Sequence, residues 1–521
     1  MGNFLGIDSS TQSMTGIVID TDRSAIVAEA SVSFDEHYGE HYGVTNGVID
    51  LGDGRIHSAP LMWAEALEQL CCQLRDAGVD LRSIRAVAGS GQQHGTVYLN
   101  ESAALSLGGL DADHDLAGQL KGMFSRATAP IWMDTSTGEQ CRQIEAGVGG
   151  RQALLQLTGN TAFERFSGPQ IRRFWQTEPD AWERTTNICL VSSFISSLLA
   201  GRLVPVDPGD GSGTNLMDIR TRHWSQSALD ATAPDLARRL LPVIEADAVI
   251  GPIHPFWVAR HGFAPDCQVL PFSGDNPCSL IGLGLVLPGQ VALSLGTSDT
   301  LFACMDEARV SDTGEGALFA SPDGEHYMAL ICFLNGSLAR EAVRDRYGLD
   351  WDGFARALQS PPAGNGGGLM LPWFEAEIVP NVQAGVVRHE LDEADADANV
   401  RAVIEAQALS SKIHSEWMGV PIRSLSVTGG ASTNRDILQV FADVHGCPVQ
   451  PFQTTAAAAL GAALRAAHGY AKAGSGPQDW SDVVAPFTAP PEDARIEPNS
   501  THGAVYDRLL ETYRSLESRS I

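Results

Sequence analysis

Two segments of the chain place small hydroxyl residues and glycine in similar settings: Phe4-Leu-Gly-Ile-Asp-Ser-Ser-Thr-Gln-Ser13 and Ala292-Leu-Ser-Leu-Gly-Thr-Ser-Asp-Thr-Leu301. In each, a turn rich in Gly, Ser and Thr separates two apolar runs, the second being Met14 to Ile19 or Leu301 to Cys304, so each reads as a β-hairpin. Backbone N–H groups and hydroxyls crowded into a turn aim several donors at one anion, which makes both turns candidate phosphate cradles. One such turn alone is also an ordinary surface hairpin; the repeat suggests a nucleotide held between two related lobes. The chain has no Gly-x-x-x-x-Gly-Lys-[Ser/Thr] segment, so a P-loop is excluded as the phosphate site.

Four further segments carry chemistry. Val87-Ala-Gly-Ser-Gly-Gln-Gln-His-Gly95 is a strand running into glycine-rich backbone that presents Gln92, Gln93 and His94. Uncharged amides and an imidazole at the carboxyl end of a strand suit a neutral polyhydroxyl ligand, or they simply cap a loop. Phe272-Ser-Gly-Asp-Asn-Pro-Cys-Ser-Leu-Ile-Gly-Leu-Gly-Leu285 ends a strand and opens a helix with Asp275 and Asn276. Asp275 is either an N-cap or, held at a close helix contact that Cys278, Ser279, Gly282 and Gly284 permit, a general base for a hydroxyl. Leu425-Ser-Val-Thr-Gly-Gly-Ala-Ser-Thr-Asn-Arg-Asp-Ile-Leu438 sets paired glycines between strand and helix, where a flat ring or a phosphate can lie on bare backbone, or where the corner merely needs room. Ala129-Pro-Ile-Trp-Met-Asp-Thr-Ser136 reads as a strand with Trp132 and Asp134 on one side, either a sugar-binding pair or a core-and-rim pair.

The elements that must hold these segments alternate between strand and helix, the pattern of an α/β protein. Apolar runs at 86–88, 129–132, 188–191 and 269–272 read as buried strands, and amphipathic periodicity predicts helices over 61–77, 139–146, 192–200 and 401–416. Ala264-Pro-Asp266 marks a break, dividing the chain into lobes 1–264 and 265–521. The Pro/Gly-rich stretch 473–491 reads as a loop leading to a last helix over 504–518.

With 63 acidic against 35 basic residues and a formal net charge of −28, the chain is a poor partner for nucleic acid or an anionic membrane surface. Nine scattered cysteines, with no Cys-x-x-Cys pair, predict reduced thiols, and no uninterrupted apolar run of membrane-spanning length or signal-peptide pattern is evident. The expected location is cytoplasmic.

These segments together resemble the FGGY family of carbohydrate kinases, members of the actin-like ATPase superfamily. The resemblance runs from about residue 4 to residue 470 and includes Phe163-Glu-Arg-Phe-Ser-Gly168 and the stretch from Asp207 to Asp218. It implies two actin-like (ribonuclease H-like) α/β lobes around a central cleft, the first binding sugar, the second binding nucleotide and supplying the base. Gln93 and Met133-Asp-Thr-Ser136 depart from many bacterial members and match an animal-type subgroup acting on D-xylulose. The implied reaction is ATP-dependent phosphorylation of that ketopentose at O5. By the same resemblance Asp275 is the base, and Gln93, His94, Arg165, Asp275 and Asn276 hold the sugar. Thr11, Gly296, Thr297, Trp351, Gly429, Gly430 and Asn434 hold ATP, and Asp8 positions Mg²⁺ through water. Homodimers are frequent in this family, though no dimer surface can be picked from the pattern alone. Rival readings are a kinase for ribulose, arabinitol or glycerol, a non-kinase actin-like ATP switch, and a glycosidase, the last lacking a second placed carboxylate.

Overall fold

The computed structural model describes residues 2–452, 456–474, 476, 478–489 and 494–521. Two compact units emerge: Met1–Val286 with Leu318–Tyr327 and Ala456–Ala489, and Leu287–Ala317 with Met328–Thr455 and Pro490–Ile521.

The central sheet of the first unit contains β1 (Asn3–Ser9), β2 (Ser13–Asp20), β3 (Ala25–Ser33), β4 (Ile84–Gly91), β5 (Gly251–Pro252), β6 (Gln268–Val269) and β7 (Ser273–Gly274). Their order is β5-β6-β4-β1-β2-β3, with β7 also paired to β4. β1 runs antiparallel to β2 and parallel to β4, in a register that sets Asp8 opposite both Thr15 and Ser90. In the second unit the neighbours are β10 (Tyr327–Phe333), β9 (Asp299–Met305), β8 (Gln290–Leu295), β11 (Ser424–Thr428) and β12 (Val449–Pro451), in that order. Here β8 runs antiparallel to β9 and parallel to β11, with Ser294 opposite Thr300 and Thr428. The sequence repeat is therefore a repeat of topology: a hairpin whose first strand also pairs with a distant parallel strand.

Helices α1 (Pro60–Asp76), α2 (Val191–Ala200) and α3 (Asp275–Gly282) belong to the first unit, and α4 (Ser337–Arg346), α5 (Trp351–Gln359), α6 (Ala396–His414) and α7 (Arg435–His445) to the second. The chain then returns to the first unit for α8 (Ala457–Gly474) and α9 (Trp480–Thr488) and ends in the second with α10 (Gly503–Ser520). The first sheet is covered on both faces, and the middles of its central strands, Phe4 to Ile7 and Ala86 to Ala88, are buried. Leu5, Ile7 and Val18 join Trp63 and Leu67 of α1 and Phe194 of α2 in one core. Phe4, Ile17, Ile19 and Ala88 pack instead with Ala459, Leu460 and Ala463 of α8.

Four expectations differ from the structure. The first unit continues to Val286 rather than ending at 264, because β6 and β7 pair parallel with β4 and carry α3 with them. The Ala264-Pro-Asp266 break is only a turn, closed by the Cys267 N–H donating to the Ala264 carbonyl. The stretch 473–491 contains α9, within which Pro486 is tolerated; Ser475, Pro477 and residues 490–491 of that stretch lie outside the described residues. The strand at 129 stops after Pro130, and Trp132 stands exposed in a turn while Asp134 is buried. Asp134 is fully occupied, accepting from Ile56 N, Ser136 N and Oγ, and Gln170 Nε2. The helix read over 401–416 begins earlier, at Ala396, capped by Asp395. α10 docks on α6, with Tyr506 Oη bonded to Arg401 and Glu405. Among the described residues no helix is long and apolar enough to cross a membrane.

Candidate functional site

β7 ends at Gly274, which occupies the cap position of α3 without a side chain to offer, so Asp275 is the first helical residue and not the cap. Its Oδ1 accepts from the Asn276 N–H at 2.8 Å, from Asn276 Nδ2 at 3.2 Å and from the Gln93 N–H at 3.3 Å. Oδ2 takes part in none of these three bonds. One oxygen is thus fixed and the other is left to take a proton. Burial pushes the carboxyl up to about 6, against the pull of those backbone donors. A carboxylate tuned toward neutrality, its bonds gathered on one oxygen, has the character of a general base.

The loop after β4 brings the predicted polar residues to the same place. Asn276 Nδ2 donates to Gln93 Oε1 at 3.0 Å, while Gln93 Nε2 is buried with no partner among the described residues. His94 has φ of 75° and stacks on Phe166, ring centroids 4.2 Å apart. Its Nδ1 lies 2.6 Å from the Gly213 carbonyl oxygen. A carbonyl can only accept, so Nδ1 carries the proton and neutral Nε2 is an acceptor. Burial, reinforced by the Arg165 charge, holds this imidazole down at about 3. Arg165 itself is exposed, its guanidinium 5.3 Å from the Phe163 ring centre. Of the five residues expected to hold sugar, Gln93, Asp275 and Asn276 are bonded directly to one another, and His94 and Arg165 are coupled electrostatically.

Asp8 sits near the end of β1, and the parallel register delivers Ser90 Oγ to its Oδ1 at 2.7 Å. Burial raises this carboxyl to about 7, the Asp275 charge adds to the rise, and Ser90 opposes it. Two raised carboxyls that repel one another would both be drawn down by a nearby positive charge. Thr11 lies at the hairpin turn, its Oγ1 accepting from the Trp132 indole at 2.8 Å.

Apart from Thr11, which belongs to the first unit, the predicted nucleotide residues lie in the second unit. Gly296 and Thr297 form the β8–β9 turn, with Thr297 exposed. Gly429 follows β11 with φ of +87°, and a Cβ there would fall 2.5 Å from the Leu295 carbonyl oxygen, whereas one on Gly430 would meet nothing within 4 Å. The corner therefore needs room at Gly429 for packing against Leu295, while Gly430 leaves its backbone uncovered. Asn434 caps α7, its Oδ1 accepting from Asp436 N and Ile437 N. Trp351 opens α5 and is 48% exposed, with the Arg344 guanidinium 4.5 Å from its ring centre. A large aromatic left so open is available for stacking.

Sequence reasoning missed what supports these groups. Asp207 and Asp210, inside a segment whose roles were left unassigned, are fully buried. Ser192 Oγ donates to Asp210 Oδ2 at 2.5 Å, and Asp207 lies 3.5 Å from Arg465 of α8. Burial raises both carboxyls, Asp210 well above its usual range. Arg465 also donates to the carbonyls of Gly89, Ala246 and Pro271, bracing β4 and the approach to β7. The available signal was a lone arginine set among the apolar, mostly small residues of the first three turns of α8.

The comparisons agree with this arrangement of parts. The model for the FGGY family of carbohydrate kinases, N-terminal domain, matches residues 127–282, and that for the C-terminal domain matches residues 291–470. The xylulose kinase of Mus musculus is 42% identical over 99% of this chain and 94% of its own length. Xylulose kinase 2 of Arabidopsis thaliana is also 42% identical, over 90% of this chain and 87% of its own. A solved xylulose kinase from Rhodospirillum rubrum superposes with a TM-score of 0.82 at 20% identity, covering 99% of this chain and 98% of that one, a likeness of fold. Two repeated hairpins, a poised aspartate and near full-length identity to such relatives lead to one assignment: the chain belongs to the FGGY family of carbohydrate kinases.

Proposed function

We propose that the protein transfers the γ-phosphoryl group of ATP to O5 of D-xylulose, giving D-xylulose 5-phosphate and ADP. The observation that carries this reading is Asp275, with its bonds gathered on one carboxylate oxygen and neutral hydrogen-bonding groups around it. The identity to xylulose kinases supports the choice of sugar. In this account Asp275 Oδ2 takes the O5 proton as the P–O bond forms. His94 Nε2 accepts from a sugar hydroxyl, Arg165, Gln93 and Asn276 donate to sugar oxygens, and Gly429, Gly430, Asn434 and Trp351 hold the adenosine part. The turns at Thr11 and at Gly296 and Thr297 receive phosphate oxygens through backbone N–H groups and hydroxyls. Asp8 would hold Mg²⁺ through water, and the ion neutralises triphosphate charge when bound. No disulfide joins any of the nine cysteines, which supports a reducing, cytoplasmic setting.

The test is coupled ADP release with Mg-ATP across ketoses, aldoses and polyols. Turnover on D-xylulose above every other sugar is the expected result; turnover on a different sugar would keep the chemistry and replace the substrate.

Two pH effects follow. Since Asp275 is held at about 6 and works only when ionised, log(kcat/KM) is expected to fall by about one per pH unit below about 6. The limb should shift to lower pH as Mg²⁺ rises, because a cation at Asp8 draws both carboxyls down. A flat profile down to about pH 4.5 would remove Asp275 as a base of raised pKa. His94 should stay neutral, so sugar KM measured between about pH 6 and 8 is expected to show no histidine titration. A tenfold change centred near pH 6.5 would assign the ring to the charged form instead.

A further inference from the structure

We propose that Arg340 is the positioning residue of the second phosphate turn, holding Gly296 to Asp299 in the one backbone arrangement that presents its N–H groups to an anion. The inference rests on the kinase reading, since that reading puts phosphate at this turn. All the residues involved lie in the second unit.

Arg340 occupies the buried stripe of α4 with Ala339 and Val343, and is 1% exposed. A charge so placed has to be paired and its donors used. Nη1 donates to Asp299 Oδ2 at 2.9 Å and Nη2 to Asp299 Oδ1 at 3.0 Å, a two-pronged pairing. The second hydrogen of Nη2 goes to the Gly296 carbonyl at 3.1 Å, and that of Nη1 to Gln407 Oε1 at 2.9 Å. The guanidinium therefore grips both ends of the turn, Gly296 where β8 stops and Asp299 where β9 starts, with exposed Thr297 between them.

The Gly296 carbonyl accepts a second bond, from the Ser337 N–H at 2.8 Å, so it is directed into the protein from two sides. The Gly296–Thr297 peptide is trans, and in a trans peptide the N–H points opposite to the C=O. Fixing the carbonyl inward thus turns the Thr297 N–H outward, and this N–H donates to no described residue. The grip is itself fixed: Gln407 of α6, while accepting from Arg340, donates through Nε2 to the Asn335 and Gly336 carbonyls at 2.8 and 2.9 Å. Preset donors of this kind receive charge without having to reorganise. Lysine cannot substitute, since a single ammonium cannot span both carboxylate oxygens and the carbonyl in one plane.

The test uses R340K, which keeps charge and loses the fork, and Q407L, which frees the guanidinium without unpairing it, each in the full chain. For R340K we expect ADP binding weaker by about tenfold and kcat lower by about 10²-fold, with sugar affinity within about twofold of wild type. Q407L should move the same quantities in the same direction by about threefold. Folded variants with wild-type ADP affinity and kcat overturn the proposal. So does loss of folding in both, which would make the pair a structural strut. ADP titration reads the turn whether or not any sugar is turned over, so a wild type that binds ADP but phosphorylates nothing fails the kinase reading alone.

Discussion

Asp275→Asn is expected to lower kcat by about 10²- to 10⁴-fold while sugar affinity stays within about threefold. Asparagine keeps an acceptor at the Oδ1 position for the N–H groups of Gln93 and Asn276, so the local backbone has no reason to move. What it loses is Oδ2, the oxygen free to take a proton. The same variant should behave oppositely in stability. A carboxyl held at about 6 when folded, against an ordinary value of 3.8, favours its protonated form in the fold. Its ionised form therefore destabilises the ligand-free protein above about pH 6, and the effect disappears below about 3.8. Asp275→Asn should raise Tm at about pH 8 and leave it unchanged at about pH 4. The expectation for Asp8→Asn is the same in sign, with a window reaching to about 7. Coupled ADP release and melts at the two pH values decide the matter; retained turnover in D275N would remove Asp275 from the chemistry.

That trade of stability for function explains which parts of the site could be read from residue types. Asp275 was visible because an acidic residue after Ser273-Gly274 and before Asn276-Pro277 has few structural duties, and Gly274 indeed leaves it uncommitted as a cap. The hairpins were visible because apolar alternation and turn residues are local signals. The supporting groups were not. Arg340 finds Asp299 41 positions away and Gln407 67 away, and half of its significance lies in a backbone carbonyl, which carries no residue signature. Arg465 bonds only to carbonyls apart from its contacts with Asp207 and Cys278. The placement of the unit boundary failed for a related reason: the pairing of β6 and β7 with β4 is non-local, so a Pro-containing turn at Ala264 looked like an end.

The second large effect concerns how α3 is held. Gly461 of α8 and Gly282 of α3 meet where the helices cross: a Cβ on Gly461 would lie 1.9 Å from the Cys278 carbonyl oxygen, and one on Gly282 1.9 Å from that of Ala457. Both obstacles are backbone, so neither can rotate aside. Gly461→Ala gains about 1 kcal/mol of helix propensity but must push the helices apart, an overpacking cost of about 1–3 kcal/mol or more. The net change should be a lower Tm. Because α3 carries Asp275 in its first turn, kcat should fall with it, by about tenfold or more for a displacement near 1 Å. Gly474→Ala at the end of the same helix is the control, for a Cβ there meets nothing within 4 Å, and it should be neutral or slightly stabilising. Melting and steady-state kinetics on the two variants separate the causes. If Gly461→Ala melts higher than wild type with unchanged kcat, the close crossing does not set the position of the base, and the small residues of α3 are there for propensity and packing alone.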